Sequence, residues 1–316
     1  MKILVTGSAG HLGEALVRTL DKSDHSVVGL DVSPSRFTSH VGSIVDRAKV
    51  KECLKGVEAV IHTATLHKPH VVTHSRQDFV DINVTGTLNL LEEARLAGAA
   101  FVFTSTTSVF GAALTPPPTE PAVWITEDVR PVPRNIYGVT KAAAEDLCEL
   151  FHRQHGLKCI ALRTSRFFPE EDDNEAIRET YEDGNVKANE FLYRRVEIED
   201  VVEAHLLAIK RAPAIGFGRY IISATTPLRR EHLGELRTNA PHLVARMFPD
   251  YEDEYARRGW RMFPAIDRVY VNDRARQDLG WQPRHDFRSV LDCLKAGTDP
   301  RSDLARVIGS KGYGRK

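Results

Sequence analysis

The sequence predicts an α/β protein with a doubly wound parallel sheet and a smaller, mostly C-terminal domain. Short apolar strand patterns alternate with helical patterns through the first half of the chain, as in successive β-α-β units with right-handed crossovers. A glycine-rich turn joins the first strand pattern to the first helical pattern. The length of 316 residues suits one large domain or two closely associated ones.

The glycine-rich turn spans residues 5–13 and reads VTGSAGHLG, directly after an apolar strand pattern at 3–6. Gly7, Gly10 and Gly13 lie three residues apart. Glycine lets the backbone approach a pyrophosphate closely, and the N-terminus of the following helix favours anions. Because glycines also serve simple turns, the meaning of this turn depends on the residues that follow it.

Asp31 is the first of those residues, since it ends a second strand pattern at 26–31. It follows the glycine turn at close to the ~20-residue spacing of an acid that binds a ribose diol. A carboxylate there accepts hydrogen bonds from both ribose hydroxyls and repels a 2′-phosphate, which favours NAD over NADP. Arg36 in the same loop would soften that preference, and a solvated acid at a strand end is the alternative interpretation. With the glycine turn, Asp31 predicts a Rossmann-type site for NAD.

The remaining elements define the predicted domains. The strand patterns lie at 3–6, 27–31, 59–62, 101–106 and 159–163, and the helical patterns near 12–20, 47–54, 76–97 and 137–155. After these come an acidic loop at 169–174, a helix at 198–211 and a strand at 218–223. We therefore predict an NAD-binding domain at 1–163 plus about 197–223, and a substrate-binding domain at about 164–196 and 224–316.

Composition excludes several partners. Lys plus Arg and Asp plus Glu both number 43, so no net charge attracts nucleic acid or a membrane surface. No apolar run approaches the ~20 residues that span a bilayer. The four cysteines are scattered without a CxxC pair, which favours free thiols in the cytoplasm.

A group of histidines at positions 62, 67, 70 and 74 raises the question of a metal site. Pro69 interrupts any continuous helix through them. We therefore predict no bound metal and interpret these residues as loop histidines near the nucleotide pocket.

The candidate chemistry lies in two segments. Tyr137 and Lys141 (YGVTK) are four apart, so a helix would place both on one face. A nearby ammonium lowers the pKa of a phenol, which lets the pair act as general acid or base on an alcohol or carbonyl. Thr106 lies in a polar stretch at 104–108, where a strand end would open on the ligand crevice. An ordinary helix start and an ordinary strand-to-loop transition are the alternatives.

These segments together resemble the extended short-chain dehydrogenase/reductase family, which includes NAD-dependent sugar epimerases and dehydratases. The resemblance covers nearly the whole chain. The matching segments are VTGSAGHLG at 5–13, Asp31, HTAT at 62–65, NVTGTLNLLEEA at 83–94, STTSVFG at 105–111, YGVTK at 137–141, LRTSRFF at 162–168 and LGWQP at 279–283.

The resemblance implies a role for each matching residue. The turn residues Gly7, Gly10, His11, Leu12 and Gly13 would bind the pyrophosphate. Asp31 would hold the adenosine ribose, Ser43 and Ile44 would flank adenine, and Ala64 and Thr65 would line the dinucleotide path with Asn83 supporting them. Ser43 replaces the aspartate that the family often has.

The resemblance also implies the reaction chemistry. Thr106 would be the catalytic hydroxyl and Tyr137 the acid or base, while Lys141 would lower the pKa of Tyr137 and bind the nicotinamide ribose. Helices at 76–97 and 137–155 would form a homodimer interface. Their apolar residues would be either interface or core: Val80, Val84, Leu88, Leu91, Ala144, Leu147 and Phe151.

Departures from the family pattern bear on the substrate. Thr107 and Ser108 stand where dehydratases have an Asp–Glu pair, so dehydration is disfavoured. Arg166 replaces an asparagine common in nucleotide-sugar enzymes, and the usual Gly-Pro turn becomes an acidic loop after Phe168. The candidate substrate residues are Thr107, Arg166, Phe168 and Arg195, and the candidate cations beside the acidic loop are Arg194 and Arg195.

Arg166 itself has two interpretations. It would grip a substrate carboxylate with its two-pronged guanidinium, or it would pair with Glu170, Glu171 or Asp172 and hold the loop.

Three functions follow from these expectations. The first is NAD-dependent epimerisation of a nucleotide sugar, a small carbohydrate-type substrate. The second is net oxidation or reduction of a free sugar, a sugar acid or another small carbonyl compound. The third is non-catalytic NAD sensing, which would not need Thr106, Tyr137 and Lys141 together.

Overall fold

The structure is a computed structural model that describes residues 1–312. Its strands are β1 (Lys2–Thr6), β2 (Ser26–Asp31), β3 (His40–Val41), β4 (Ala59–His62), β5 (Ala100–Thr106), β6 (Val123–Ile125), β7 (Cys159–Thr164), β8 (Phe217–Ile222) and β9 (Arg268–Tyr270). Seven of them form one sheet in the order β3-β2-β1-β4-β5-β7-β8, and every pair in it is parallel. The winding direction reverses between β1 and β4, which is where such sheets bind ligands.

Helices cover the sheet and fill the C-terminal region. They are α1 (His11–Leu20), α2 (Arg47–Cys53), α3 (Arg76–Phe79), α4 (Gly86–Ala97), α5 (Ile136–His155), α6 (Glu175–Thr180), α7 (Asp183–Glu190), α8 (Ile198–Ile215), α9 (Leu233–Thr238), α10 (Ala240–Met247), α11 (Tyr251–Ala256), α12 (Asp273–Leu279), α13 (Phe287–Ala296) and α14 (Asp303–Ile308). A π-helical stretch, Val80–Thr85, makes α3 and α4 continuous.

Both faces of the sheet are buried, which explains why its central strands are mainly apolar before their polar carboxyl ends. Leu16 of α1, Val201 of α8 and Leu279 of α12 belong to the core on one face. Leu90 of α4 and Ala144 of α5 belong to the core on the other. The predicted doubly wound parallel sheet is thus confirmed.

A separate apolar cluster lies in the C-terminal part of the chain. It includes Leu192, Leu243, Tyr255 and Phe287. Trp281 belongs instead to the sheet-side core and is fully buried, with its indole Nε1 donating to the Asp200 carbonyl at 2.9 Å. The chain therefore crosses back to the sheet after residue 270, while the exact domain boundaries stay a prediction.

The helix pair at 76–97 and 137–155 separates into core and exposed residues. Leu91, Ala144 and Phe151 are buried in the core of this chain, whereas Val80 is 37% exposed. Three of the seven residues of the candidate interface are therefore core. None of the helices within residues 1–312 is long and apolar enough to cross a membrane.

Candidate functional site

A cleft of about 850 Å³ opens at the carboxyl ends of the central strands. Most of the predicted site residues line it: Gly7, Gly10, His11, Leu12, Gly13, Asp31, Ser43, Ile44, Ala64, Thr65, Thr106, Thr107, Tyr137, Arg166 and Phe168. Three others, Asn83, Lys141 and Arg195, are buried behind its wall. The predicted residues are therefore gathered at one place, although they come from many different segments.

The glycine turn is closely packed on the helix that follows it. Gly7 has a φ of +70°, and its N–H donates to the Leu30 carbonyl at 2.8 Å. A Cβ on Gly13 would lie 1.9 Å from the Gly7 carbonyl oxygen. Gly10 caps α1 without a side-chain hydrogen bond, so the first N–H groups of this helix face the cleft and are suited to a pyrophosphate.

Asp31 is fixed at the end of β2 by two backbone amides. Its Oδ2 accepts from Ala9 N at 3.0 Å and its Oδ1 from Ser33 N at 2.8 Å. Arg36 lies over the Phe37 ring, 4.7 Å from its centroid, and is not among the residues that line the cleft. The acid therefore faces a cleft that Arg36 does not line.

His11 supplies an independent sign that a ligand belongs here. Its ring lies about 6 Å from those of Phe167 and Phe168, and burial lowers its pKa to about 4. Within residues 1–312 neither ring nitrogen has a hydrogen-bond partner, and buried polar atoms rarely remain unpaired. The glycine cradle, Asp31 and this imidazole fit the polar groups of NAD.

Asn83 holds the wall of the cleft from within the π-helical stretch. Its side-chain oxygen accepts from Leu66 N and from the Thr65 hydroxyl, both at 2.8 Å. Its amide nitrogen donates to the Leu66 carbonyl and to Thr140 Oγ1, both at 3.1 Å. The supporting role that the resemblance implied for Asn83 agrees with this geometry.

His62 has a structural role that sequence reasoning missed. The Thr87 hydroxyl donates to the Asn83 carbonyl, so it accepts from His62 Nε2 at 3.0 Å. His62 Nδ1 then accepts from the Thr6 hydroxyl at 2.8 Å. This chain links β1, β4 and α4 beneath the cleft. Its only sequence signal is a histidine at the end of an otherwise apolar strand.

The predicted general acid or base has its hydroxyl neighbour in place. Tyr137 is 7% exposed, and this burial raises its pKa to about 12. A hydrogen bond with the Thr106 side chain acts in the opposite direction and lowers the pKa, but its effect is smaller. Thr106 Oγ1 also accepts from Ser108 N at 3.1 Å. A substrate oxygen that reached Tyr137 would therefore meet two hydroxyl groups.

Lys141 lies one helical turn further along α5. Its Nζ donates to the Thr104 carbonyl at 2.6 Å and lies 4.0 Å from the centre of the Phe103 ring. Burial lowers its pKa to about 7. The ammonium thus has a fixed acceptor behind the cleft, and its predicted effect on the pKa of Tyr137 stays a prediction.

The arginines predicted for the substrate are held by carboxylates. Arg166 donates to Asp172 Oδ2 at 3.0 Å, as the loop-holding interpretation expected. Arg194 donates to the same oxygen at 3.1 Å. Arg195 pairs with buried Glu190 at 2.8 Å and donates to the Phe168 carbonyl, so it supports the wall from behind. The convergence on Asp172 was not evident from the sequence.

No metal centre is formed by the grouped histidines. In the part of the chain that the structure describes, no three His, Cys, Asp or Glu side chains are placed to hold a metal ion. His62 lies in the buried network described above. His67 instead lies at the cleft, its ring centroid 6.3 Å from that of Tyr137.

The fold and the cleft define a Rossmann-type dinucleotide-binding protein. Residues 3–222 match the model of the NAD dependent epimerase/dehydratase family, and the chain belongs to this family. The match confirms the predicted family and its cofactor, NAD.

Individual relatives are more distant. UDP-glucuronic acid decarboxylase 6 of Arabidopsis thaliana is 33% identical over 199 residues, and the match covers 60% of this chain and 55% of that protein. The chain therefore spans little more than half the length of this relative. A 3 beta-hydroxysteroid dehydrogenase/Delta 5-->4-isomerase of Mycobacterium tuberculosis is 25% identical over 341 residues, covering 93% of this chain and 89% of that protein.

The chain is also similar to a solved structure over nearly its whole length. The crystal structure of a UDP-galactose 4-epimerase has a TM-score of 0.64 and 22% identity, and the match covers 98% of this chain and all of that chain. At this identity the likeness shows the shared fold.

Proposed function

We propose that this protein is an NAD-dependent enzyme that transfers hydride at a sugar-type secondary alcohol or ketone, and that it epimerises a nucleotide sugar. The observation that carries the proposal is the Tyr137 phenol beside the Thr106 hydroxyl in the cleft, with Lys141 behind them on the same helix. A protein that only binds NAD has no need of this set.

The residues divide the work by position. Thr106 holds the substrate oxygen, and Tyr137 Oη takes the proton from the substrate hydroxyl and later returns it. NAD held by the glycine turn and Asp31 would supply the hydride acceptor for the carbon that bears this hydroxyl. Burial raises the pKa of Tyr137 to about 12, so the phenol needs a stabilising positive charge to act near neutral pH. The candidate for that charge is the Lys141 ammonium, one helical turn along α5, since opposite charges at close range move a pKa by about 1–3 units.

The nucleotide-sugar assignment rests on similarity. The names of the Arabidopsis relative and of the crystallised epimerase describe UDP-sugar enzymes. For an epimerase, NAD is regenerated in each turnover, so product isomers form without accumulation of NADH.

A net dehydrogenase or reductase is the second candidate. The mycobacterial relative named as a hydroxysteroid dehydrogenase matches over most of both chains, and the cleft carries Arg166 where nucleotide-sugar enzymes commonly have asparagine. Such an enzyme would use the same three residues and exchange its cofactor after each turnover.

One assay separates these candidates. The protein is incubated with NAD and UDP-sugars, free aldoses or uronic acids, while nicotinamide absorbance and sugar products are followed. We expect isomer formation without net NADH. Stoichiometric NADH would overturn the epimerase proposal in favour of the dehydrogenase.

The acid–base role has its own test. Tyr137→Phe is expected to lower kcat at least about a hundredfold, in line with general acid–base catalysis, while the Kd for NAD changes little. Tyr251→Phe is the matched control, because Tyr251 lies in the C-terminal cluster outside the cleft. A fully active Tyr137→Phe enzyme would exclude the proposed role.

We retain two further expectations as proposals. The enzyme is a cytoplasmic homodimer that pairs through the helices at 76–97 and 137–155, where exposed Val80 supplies part of the contact. Sedimentation of Val80→Glu should then give a monomer, and an unchanged dimer would place the interface elsewhere.

A further inference from the structure

Three arginines and two carboxylates form a cluster at the wall of the cleft, which Arg166 and Arg194 line. Asp172 Oδ2 accepts from both Arg166 and Arg194, while Glu190 pairs with Arg194 at 2.7 Å and with Arg195 at 2.8 Å. Arg166 Nε is also 3.8 Å from Glu190. The group therefore carries one more positive than negative charge.

The two carboxylates differ in how permanently they are placed. Glu190 is fully buried on α7. Burial alone would raise the pKa of its carboxyl, but the positive charges of Arg194, Arg195 and Arg166 outweigh that effect, so the pKa is lowered. Asp172 lies in an irregular loop between β7 and α6. Glu190 is therefore placed by a helix, whereas Asp172 is placed by a loop, where its Oδ1 also accepts from Asn174 N at 2.9 Å.

The loop has other contacts besides those of the Asp172 carboxylate. Asp173 pairs with Lys68 at 2.9 Å, but both side chains are about half exposed, and such pairs contribute little to stability. Glu170 accepts from Ser310 Oγ at 2.8 Å. Backbone carbonyls of the loop accept from Arg166 and from Arg178. Of the carboxylates in this loop, Asp172 is the one that the structure pairs with arginines of the cleft.

We propose that Arg166 and Arg194 form a subsite for an oxyanion of the substrate, which Asp172 occupies until the substrate displaces it. Two guanidinium groups that converge on one oxygen are suited to a carboxylate or a phosphate, and both line the same cleft as Tyr137. Displacement of Asp172 would leave three arginines with one carboxylate, so an incoming anion restores the balance of charge. This inference rests on the proposed function, because it names the substrate class of the same cleft.

The test uses the NAD-loaded protein and calorimetric titration with UDP, with D-glucuronate and, as a neutral reference, with D-glucose. Asp172→Asn removes the competing charge at nearly constant size. It is expected to bind at least one of the two anions about tenfold or more tightly than the wild type, while affinity for glucose is unchanged. A gain in affinity for UDP would identify a diphosphate as the ligand, and a gain in affinity for D-glucuronate would identify a carboxylate.

Two further variants keep the result interpretable. Asp173→Asn, in the same loop but outside the arginine pair, should change anion affinity by no more than about threefold. Adding Arg194→Met to Asp172→Asn should abolish the gain. Arg166→Gln serves the same purpose if circular dichroism shows the first double variant to be unfolded.

Equal affinity of Asp172→Asn and the wild type for both anions would overturn the subsite, and so would a gain that extends to glucose. If NAD binds and Tyr137 is required for turnover, that failure concerns this inference alone. If NAD fails to bind, or Tyr137→Phe is fully active, the proposed function fails whatever Asp172 does.

Discussion

The carboxylate of Asp31 is held from two sides, by the amide of Ala9 in the glycine turn and by that of Ser33 beyond β2. These two bonds fix its direction before any ligand arrives, and its remaining lone pairs face the cleft. A fixed acid discriminates more sharply than a mobile one, because it cannot turn away from a second negative charge.

Asp31→Asn is therefore expected to weaken NAD binding and to tolerate NADP better. The ratio of the two Kd values should shift toward NADP by about tenfold, the equivalent of about 1.4 kcal/mol. Quenching of protein fluorescence by each cofactor measures this ratio. Asp21→Asn, at the exposed far end of α1, is the control, and an unchanged ratio in Asp31→Asn would contradict the role of Asp31.

Gly13 is required for a different reason, namely space. A methyl group there would lie 1.9 Å from the Gly7 carbonyl oxygen, so Gly13→Ala must move the turn or the helix. We expect a loss of stability of about 1–3 kcal/mol from overpacking and at least a tenfold rise in the Kd for NAD. Gly234→Ala, which has open space around it, should be harmless. Equal free energies of unfolding for the two variants, measured with urea, would show that the turn is not tightly packed.

The helix that carries Asn83 contains a π-helical stretch, and this stretch determines where the Asn83 side chain lies. Its apolar spacing predicts one helix over 76–97, and the chain is indeed helical throughout, through α3, the π-helical stretch and α4. The π turn is not visible in the sequence, because wider turns change hydrogen bonding without changing the apolar pattern. Such turns are frequent at functional sites, and here it carries the side chain that ties down the 65–66 loop.

Asn83→Asp should separate the loop from the helix. The change removes the two N–H donors that reach the Leu66 carbonyl and Thr140 and leaves buried acceptors unpaired. We expect a loss of about 2–4 kcal/mol in urea unfolding together with weaker NAD binding. Gln77→Ala, an exposed change in α3, should stay within about 0.5 kcal/mol of the wild type. A stable Asn83→Asp protein with normal NAD affinity would argue against this anchoring.

The molecule as a whole buries several histidines in neutral form. Burial lowers the pKa of His67 to about 3 and that of His205 to about 4, and it holds that of His62 well below the usual range. His205 Nδ1 donates to the Val201 carbonyl while Nε2 accepts from the Thr104 hydroxyl, both at 2.8 Å. Burial also lowers the pKa of His11, at the cleft, to about 4. Protonation of any of these rings would place a positive charge where burial disfavours it.

Stability should therefore fall as the pH drops from 7 through 6.5 toward 4. In that window the unfolded histidines bind protons and the folded ones do not, so acid favours the unfolded state. Each buried histidine should cost about 1–2 kcal/mol between pH 7.5 and 5.0. Urea unfolding at the two pH values measures the loss.

The difference in the free energy of unfolding between pH 7.5 and 5.0 should be smaller in His205→Gln. In His25→Gln, where the replaced side chain is exposed, this difference should be the same as in the wild type. A free energy of unfolding that is the same at pH 5.0 and 7.5 would refute this account of the histidines.

The sequence by itself determined the sheet, the glycine turn, Asp31 and the spacing of Tyr137 and Lys141. These depend on local periodicity and on the conformational freedom of glycine, which are written in adjacent residues. It missed the two- and three-residue strands β3, β6 and β9, because such short pairings have no periodic pattern and β6 meets β9 only across a large gap in the chain.

Only the tertiary structure decided how the charged residues are paired. It placed Asp172 between Arg166 and Arg194, linked His62 to Thr6 and Thr87, and turned Arg195 toward Glu190. Each of these depends on the distance between residues that the fold, not the sequence order, brings together. A buried charge or imidazole takes whichever partner lies within about 3 Å, and no pattern of neighbouring residues specifies that partner.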